Sequence, residues 1–222
     1  MVKVIPKNIR AIIFDLDDTL IPTRKFIEPR FKQIADFLKD PSAFGELVSL
    51  WEEKTSKYPY LFDDFCKSRG LPKDMVVKMV KIMNSGETFE ISLDPDVKSV
   101  LSYLKNHGFV LGLLTGGNLV RQKAKVKSLE LDRWFSSVMY AKEYSSKLSS
   151  APFKAVVDSL GVKFEETAFV GDDPVNDMKP PKLLGAFCIR LYGEEFSFDR
   201  SCDFSDLEIN SFNELREIFQ GV

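Results

Sequence analysis

The chain has little cysteine, a single histidine and no long apolar run in its 222 residues. Cys66, Cys188 and Cys202 are scattered and lack metal-ligand spacing. They predict reduced cytosolic thiols and exclude a disulfide framework. His107 precedes Gly108 at an expected helix end, where a cation suits the helix dipole. No catalytic role is assigned to it. No apolar stretch approaches the length needed to span a membrane. The opening Met1-Val2-Lys3-Val4-Ile5-Pro6-Lys7 has neither a long apolar core nor a small-residue cleavage site, so no signal peptide is expected and the predicted location is cytoplasmic. Basic residues do not outnumber acidic ones: 31 Lys and Arg stand against 33 Asp and Glu, a net charge of −2. With no basic run, a nucleic-acid surface is excluded. Internal repeats and low-complexity segments are also lacking.

What is present is an ordinary globular composition, 44% hydrophobic and 29% charged. A chain of this length makes one large domain, or one domain with a smaller insert, and its core needs no staples. The stretch Ile12-Ile13-Phe14-Asp15-Leu16-Asp17-Asp18-Thr19-Leu20 runs from an apolar strand directly into acids. A short continuous apolar run suits a strand buried on both faces of a parallel sheet. Such a strand does not hold an unpaired ionised Asp in its interior, so Asp15 belongs where the strand leaves the sheet. In open α/β sheets ligands bind at that edge.

The texture then changes twice. From about Phe26 to Ser85 only helical periodicity is found, broken at Asp40-Pro41-Ser42, Pro59 and Gly70-Leu71-Pro72. Ser42 is the expected cap of a helix from Ala43 to Lys57. Four short helices with no strand between them predict a small inserted bundle. From Leu93 strands and helices alternate. Strands are predicted at Phe109–Leu114, Ser137–Tyr140, Ala168–Val170 and Phe187–Leu191, and Ser211-Phe212-Asn213-Glu214 fits a capping box for the last helix. The fold class is α/β: a doubly wound parallel sheet formed by residues 1–22 and 90–222, with a helical bundle of residues 23–89 inserted after the first strand.

Three apolar strands end in polar residues at one sheet edge: Asp15 and Asp17, then Thr115, then Asp172 and Asp173. Lys147 lies in the loop after the remaining core strand. Acids, a hydroxyl, glycine backbone and an amine suit phosphoryl chemistry. Clustered carboxylates attract a hard cation, and Mg2+ prefers oxygen ligands. The metal offsets repulsion between a phosphate dianion and an attacking carboxylate. The Thr115 hydroxyl and the Gly116 N–H can bond the equatorial oxygens, where charge is spread in the transition state.

These residues carry a resemblance. Asp15-Leu16-Asp17-Asp18-Thr19 resembles motif I of the haloacid dehalogenase-like (HAD) superfamily. Leu113-Leu114-Thr115-Gly116-Gly117-Asn118 resembles motif II. Lys147, six residues before Phe153, is similar to motif III, although Leu148 stands where proline is usual. Val170-Gly171-Asp172-Asp173, with Asp177 five beyond Asp172, resembles motif IV. The four occur in family order, and the helical insert matches the position of the family's C1-type cap. The resemblance implies that Asp15 is the nucleophile and Asp17 the acid and base. It implies that Mg2+ binds the Asp15 and Asp172 side chains and the Asp17 carbonyl, and that Thr115, Gly116 and Lys147 hold the phosphate. Asp173 and Asp177 would act through water or by orienting Lys147. Family dehalogenases lack the second acid, so Asp17 favours phosphate chemistry. The expected partner is a small phosphorylated metabolite, admitted and enclosed as the cap opens and closes. A phosphosugar mutase of the same fold and a non-enzymatic phospho-aspartate switch stay open at this point. The oligomeric state is left undetermined.

Overall fold

In the computed structural model, residues 5–54, 58–87, 89–192 and 202–220 are described. They fall into two compact units, one of the segments up to Pro22 and from Ser92 onward, the other Thr23–Ile91.

The Thr23–Ile91 unit is helical: α1 (Arg24–Leu38), α2 (Ser42–Lys54), α3 (Leu61–Ser68) and α4 (Asp74–Met83). Its core is aromatic, with Phe26, Phe31, Trp51 and Phe65 buried, whereas Phe37 and Tyr60 stand exposed. Short helices hold only when packed this way. Ser42 is the first helical residue of α2, not its cap. Asp40 does the capping, its Oδ1 accepting from the Ser42 N–H (3.0 Å) and hydroxyl (2.7 Å). The expected extension of α2 to Lys57 lies outside the described residues. Arg30 on α1 is fully buried. It donates to the Ser85 and Glu87 carbonyls at 3.0 and 2.8 Å and lies over the Phe89 ring, 4.5 Å from its centroid. Arg24 is also engaged inside this unit, with Glu28, Glu52 and the Trp51 ring.

The other unit is built on strands β1 (Ala11–Phe14), β2 (Val110–Thr115), β3 (Ser137–Tyr140), β4 (Thr167–Gly171), β5 (Phe187–Leu191) and β6 (Leu207–Ile209). All neighbours pair in parallel, in the order β3-β2-β1-β4-β5-β6. Helices α5 (Pro95–Asn106), α6 (Leu119–Ser128), α7 (Ala151–Ser159), α8 (Lys179–Leu183) and α9 (Glu214–Ile218) complete it. β1 is buried along its whole length because both sheet faces are covered. Phe14 meets Phe135 and Phe212, ring centroids 6.1 and 5.7 Å away. Ile13, pointing the other way, packs in a cluster with Phe153, Val156 and Phe169. Phe153, expected to sit at a fixed distance after Lys147, anchors α7 through its ring contact with Phe169 at 5.4 Å.

One strand lies beyond the five read from the sequence. β6 goes unread because a three-residue Leu-Glu-Ile segment is too short to show alternation. Pro180 and Pro181 are accommodated by the first turn of α8, where a missing N–H costs nothing. Between β4 and α8 the chain makes a π-helical turn, Pro174–Met178.

Candidate active site

β2, β1 and β4 are adjacent at the sheet centre, so their carboxyl ends bring three segments together. At the exit of β1, the Asp15 N–H still bonds Val170 across the sheet (2.9 Å). Beyond it the chain turns tightly. Asp18 adopts a left-handed φ of 57°, which Asp tolerates better than most residues, and its N–H bonds the Ile21 carbonyl at 2.8 Å. Asp18 is thus a turn residue.

Asp15 and Lys147 are both buried and joined by an ion pair. Lys147 also donates to Asp177 Oδ1 at 2.6 Å. Burial pushes the Asp15 carboxyl up to about 7: Lys147 opposes the rise, while Asp177 and Asp17 add to it. Burial disfavours the Lys147 ammonium, but Asp15 and Asp177 more than offset this and hold it above the ordinary lysine value. Lys142, the other lysine of this loop, is exposed.

Asp172 follows β4. Its backbone carbonyl accepts from Nε of the buried Arg190 at 3.1 Å. Burial, then Asp177 and Asp15, raise the Asp172 carboxyl well above the usual range. One oxygen each from Asp15, Asp172 and Asp177 lie within 4.8 Å of one another. Three carboxylates against the Lys147 ammonium leave two negative charges in excess, matching one divalent cation. Such a donor set, oxygen only and mutually repulsive, fits Mg2+.

Asp173 and Asp177, paired in the sequence reading, separate here. Asp177 is the partner of Lys147, and its Oδ2 accepts from the Asp173 N–H at 3.1 Å. Asp173 instead caps the turn that follows: its Oδ1 accepts from the Val175 and Asn176 N–H groups at 2.9 and 3.1 Å. The π-helical turn swings Asp177 back over Gly171. A Cβ on Gly171 would lie 2.6 Å from the Asp177 Cβ, so only glycine fits. Gly171→Ala is expected to displace Asp177 from Lys147, lower stability by about 1–3 kcal/mol and remove most turnover. A thermal melt and activity matching the unsubstituted protein would contradict that packing.

At the end of β2, the Thr115 side chain is almost wholly buried and its Oγ1 has no partner among the described residues. A buried hydroxyl left unmatched has a cost that an incoming anionic oxygen removes. Gly116 lies against Lys147: a Cβ there would meet the Lys147 Cδ at 3.5 Å. Gly117 needs its φ of 101° to turn the chain, and Asn118 caps α6 by accepting from the Arg121 N–H at 3.1 Å. The structure therefore gathers Asp15, Thr115, Gly116, Lys147, Asp172 and Asp177 at one edge.

Asp17 is placed differently. Its side chain is turned to α6, where Lys125 donates to Oδ1 and Gln122 Nε2 donates to Oδ2 at 2.7 Å. Burial disfavours the Asp17 carboxylate, but Lys125 and Gln122 outweigh it and lower its pKa. Lys125 and Gln122 escape sequence reasoning. The one sequence signal is that α6 has few apolar residues; the structure turns Val120 to solvent, and Gln122 and Lys125 complete the inner face.

The chain was compared with known proteins. The haloacid dehalogenase-like hydrolase model matches residues 9–185. A glyceraldehyde 3-phosphate phosphatase of Pyrococcus furiosus is 30% identical, covering 96% of this chain and 94% of that one. A phosphoglycolate phosphatase of Photorhabdus laumondii is 25% identical over 94% of this chain and 92% of its own length. Among solved structures, the fold is similar to a HAD phosphatase from Thermococcus onnurineus (TM-score 0.62, 22% identity, 96% of this chain and 99% of that one). It is also similar to the HAD-hydrolase YfnB from Bacillus subtilis bound to magnesium (TM-score 0.72, 18% identity, 96% and 98% covered). A family match over most of the chain, with three strand-end motifs and the Lys147 loop converging on one edge, means that this protein belongs to the haloacid dehalogenase-like hydrolases.

Proposed function

We propose that this protein is a Mg2+-dependent phosphatase that hydrolyses a small phosphorylated metabolite through an aspartyl-phosphate on Asp15. The observation behind this reading is Lys147 held between Asp15 and Asp177, beside Asp172 and the Thr115 hydroxyl, which has no partner among the described residues. In this reading the Asp15 carboxylate attacks phosphorus while the bond to the leaving oxygen breaks. Asp17 supplies the proton to that oxygen, then takes one from the water that attacks the phosphorus and frees Asp15. The Thr115 hydroxyl and the Gly116 N–H bond the oxygens on which charge develops. Lys147 neutralises a second portion of that charge, and Asp177 fixes its position. The side chains of Asp15 and Asp172 and the Asp17 carbonyl would hold Mg2+, which screens the phosphate from the attacking carboxylate. Both oxygens of Asp177 are already engaged, which favours an orienting role over ligation.

The helical unit serves as the cap in this reading. The relatives are named for two- and three-carbon phosphates, so a substrate of that size is proposed. A cytoplasmic setting agrees with the free thiols and with the absence of any membrane-length apolar helix among the described residues.

The test is phosphate release from glyceraldehyde 3-phosphate, phosphoglycolate and p-nitrophenyl phosphate, after EDTA treatment and again with Mg2+. Release is expected only with the metal. Metal-independent release at the full rate would overturn the reading. Stability supplies a second readout. Asp15 titrates near 7 in the folded metal-free protein against 3.8 in the unfolded chain. The folded state therefore binds more protons across that interval, and metal-free stability falls as pH rises through it. Bound Mg2+ requires ionised carboxylates. The Mg2+-induced rise in Tm is thus expected to be larger at pH 7.5 than at pH 5. Equal shifts at both would contradict it.

A further inference from the structure

We propose that Gln122 and Lys125 are positioning residues for Asp17: together they fix both oxygens of its carboxylate and tie it to the phosphate-binding turn at Gly116. This rests on the acid–base role given to Asp17 above.

The geometry is specific. Gln122 and Lys125 lie one turn apart on α6 and are each about 2% exposed. Lys125 donates to Asp17 Oδ1. Gln122 Nε2 is shared between Asp17 Oδ2 at 2.7 Å and the Gly116 carbonyl at 2.5 Å. Two acceptors facing one nitrogen settle the orientation of the amide, since a flipped amide would set oxygen against oxygen. The consequence is that Gln122 Oε1 is buried with no partner among the described residues. An apolar side chain of the same shape would fill that space without this cost. A buried lysine carries a comparable cost of desolvation. Two such residues on one helix face are poor devices for packing, but they meet the needs of a carboxylate that must be aimed. Each Asp17 oxygen accepts one of these hydrogen bonds and keeps lone-pair capacity for the proton it would move. The shared Gln122 amide nitrogen links that carboxylate to Gly116, the residue whose own N–H would meet the phosphate. The acid and the anion site therefore keep their spacing as one unit.

A purely structural role predicts that all substrates suffer alike when the pair is altered. A positioning role predicts selectivity by leaving group. A p-nitrophenolate departs readily without a proton, whereas a p-methoxyphenolate needs one. Substituted phenyl phosphates differ little in shape, and kcat/KM reports the step in which this oxygen leaves. The experiment measures kcat/KM for p-nitrophenyl and p-methoxyphenyl phosphate with Mg2+, in the unsubstituted protein and in Gln122→Leu, Lys125→Met and Asp17→Asn. Leu and Met match the replaced side chains in size, and thermal melts confirm folding. Asp17→Asn is expected to raise the ratio of the two kcat/KM values by about tenfold or more, within the range of general acid catalysis. Gln122→Leu and Lys125→Met are expected to raise it in the same direction by several-fold. If Asp17→Asn raises the ratio while both α6 variants keep the unsubstituted value, the positioning role is wrong and the reading of Asp17 stands. If Asp17→Asn leaves the ratio unchanged, Asp17 is not the acid, and the proposal falls with that reading.

Discussion

Replacing Asp15 with Asn is expected to lower kcat on p-nitrophenyl phosphate by at least about 10⁴-fold, equivalent to about 5.4 kcal/mol of barrier. The amide keeps the shape of the carboxylate and removes its nucleophilicity. The fold is not expected to suffer. The Asp15 carboxyl is buried and held near 7 by desolvation and by its acidic neighbours, so its charge is a burden on the metal-free protein. Lys147 retains Asp177 as a partner at 2.6 Å in the variant. Tm without metal is therefore expected to stay within a few degrees of the unsubstituted value or to rise, while the increment from Mg2+ shrinks because a ligand is lost. A variant that is inactive and also grossly destabilised would attribute the loss to folding, and one that retains turnover would remove Asp15 from the chemistry.

Lys147→Met is expected to act on both stability and rate. Lys147 neutralises two buried carboxylates at once. Removing one partner of a buried ion pair costs about 3–5 kcal/mol, because the remaining charge keeps its desolvation penalty without compensation. For a chain of this size that is a fall in Tm of about 6–20 °C in EDTA. Turnover with Mg2+ is expected to drop by about 10²–10³-fold, the usual loss when one preorganised donor to the developing charge is removed. Lys142→Ala, at an exposed position nearby, is expected to change stability by less than about 0.5 kcal/mol. The pair is compared by thermal melts in EDTA and by initial rates with Mg2+. Similar behaviour of the two variants would mean that Lys147 is an ordinary surface lysine.

The sheet and the site were legible in the sequence to different depths. Strands such as Ile12-Ile13-Phe14 read cleanly because burial on both faces leaves uninterrupted apolar runs, and a polar residue then marks where the strand ends. Asp15, Thr115 and Asp172 were found by that rule, and the structure brings all three to one edge. β6 is too short for any periodicity to register. What escaped was mostly polar and buried. Arg30, Gln122 and Lys125 look like surface residues in a helical pattern, because periodicity sorts residues by hydrophobicity and not by the partners that permit their burial. The division of labour between Asp173 and Asp177 was equally hidden. It depends on a π-helical turn that places Asp177 against Gly171, and no local propensity announces that turn. The assignment of Ser42 as a cap failed for a smaller reason: Asp40, two residues earlier, accepts from the Ser42 N–H and hydroxyl, so the helix already begins at Ser42.

The most direct test of the nucleophile is to trap it. The protein is mixed with p-nitrophenyl phosphate and Mg2+, quenched in acid within the first turnover and reduced with borohydride, which converts an acyl phosphate to the alcohol. Peptide mass spectrometry then locates the reduced residue. Homoserine at position 15, absent when substrate is omitted, is the expected result. Reduction at another carboxylate, or phosphate release with no trapped residue at any time, would contradict the assignment of Asp15.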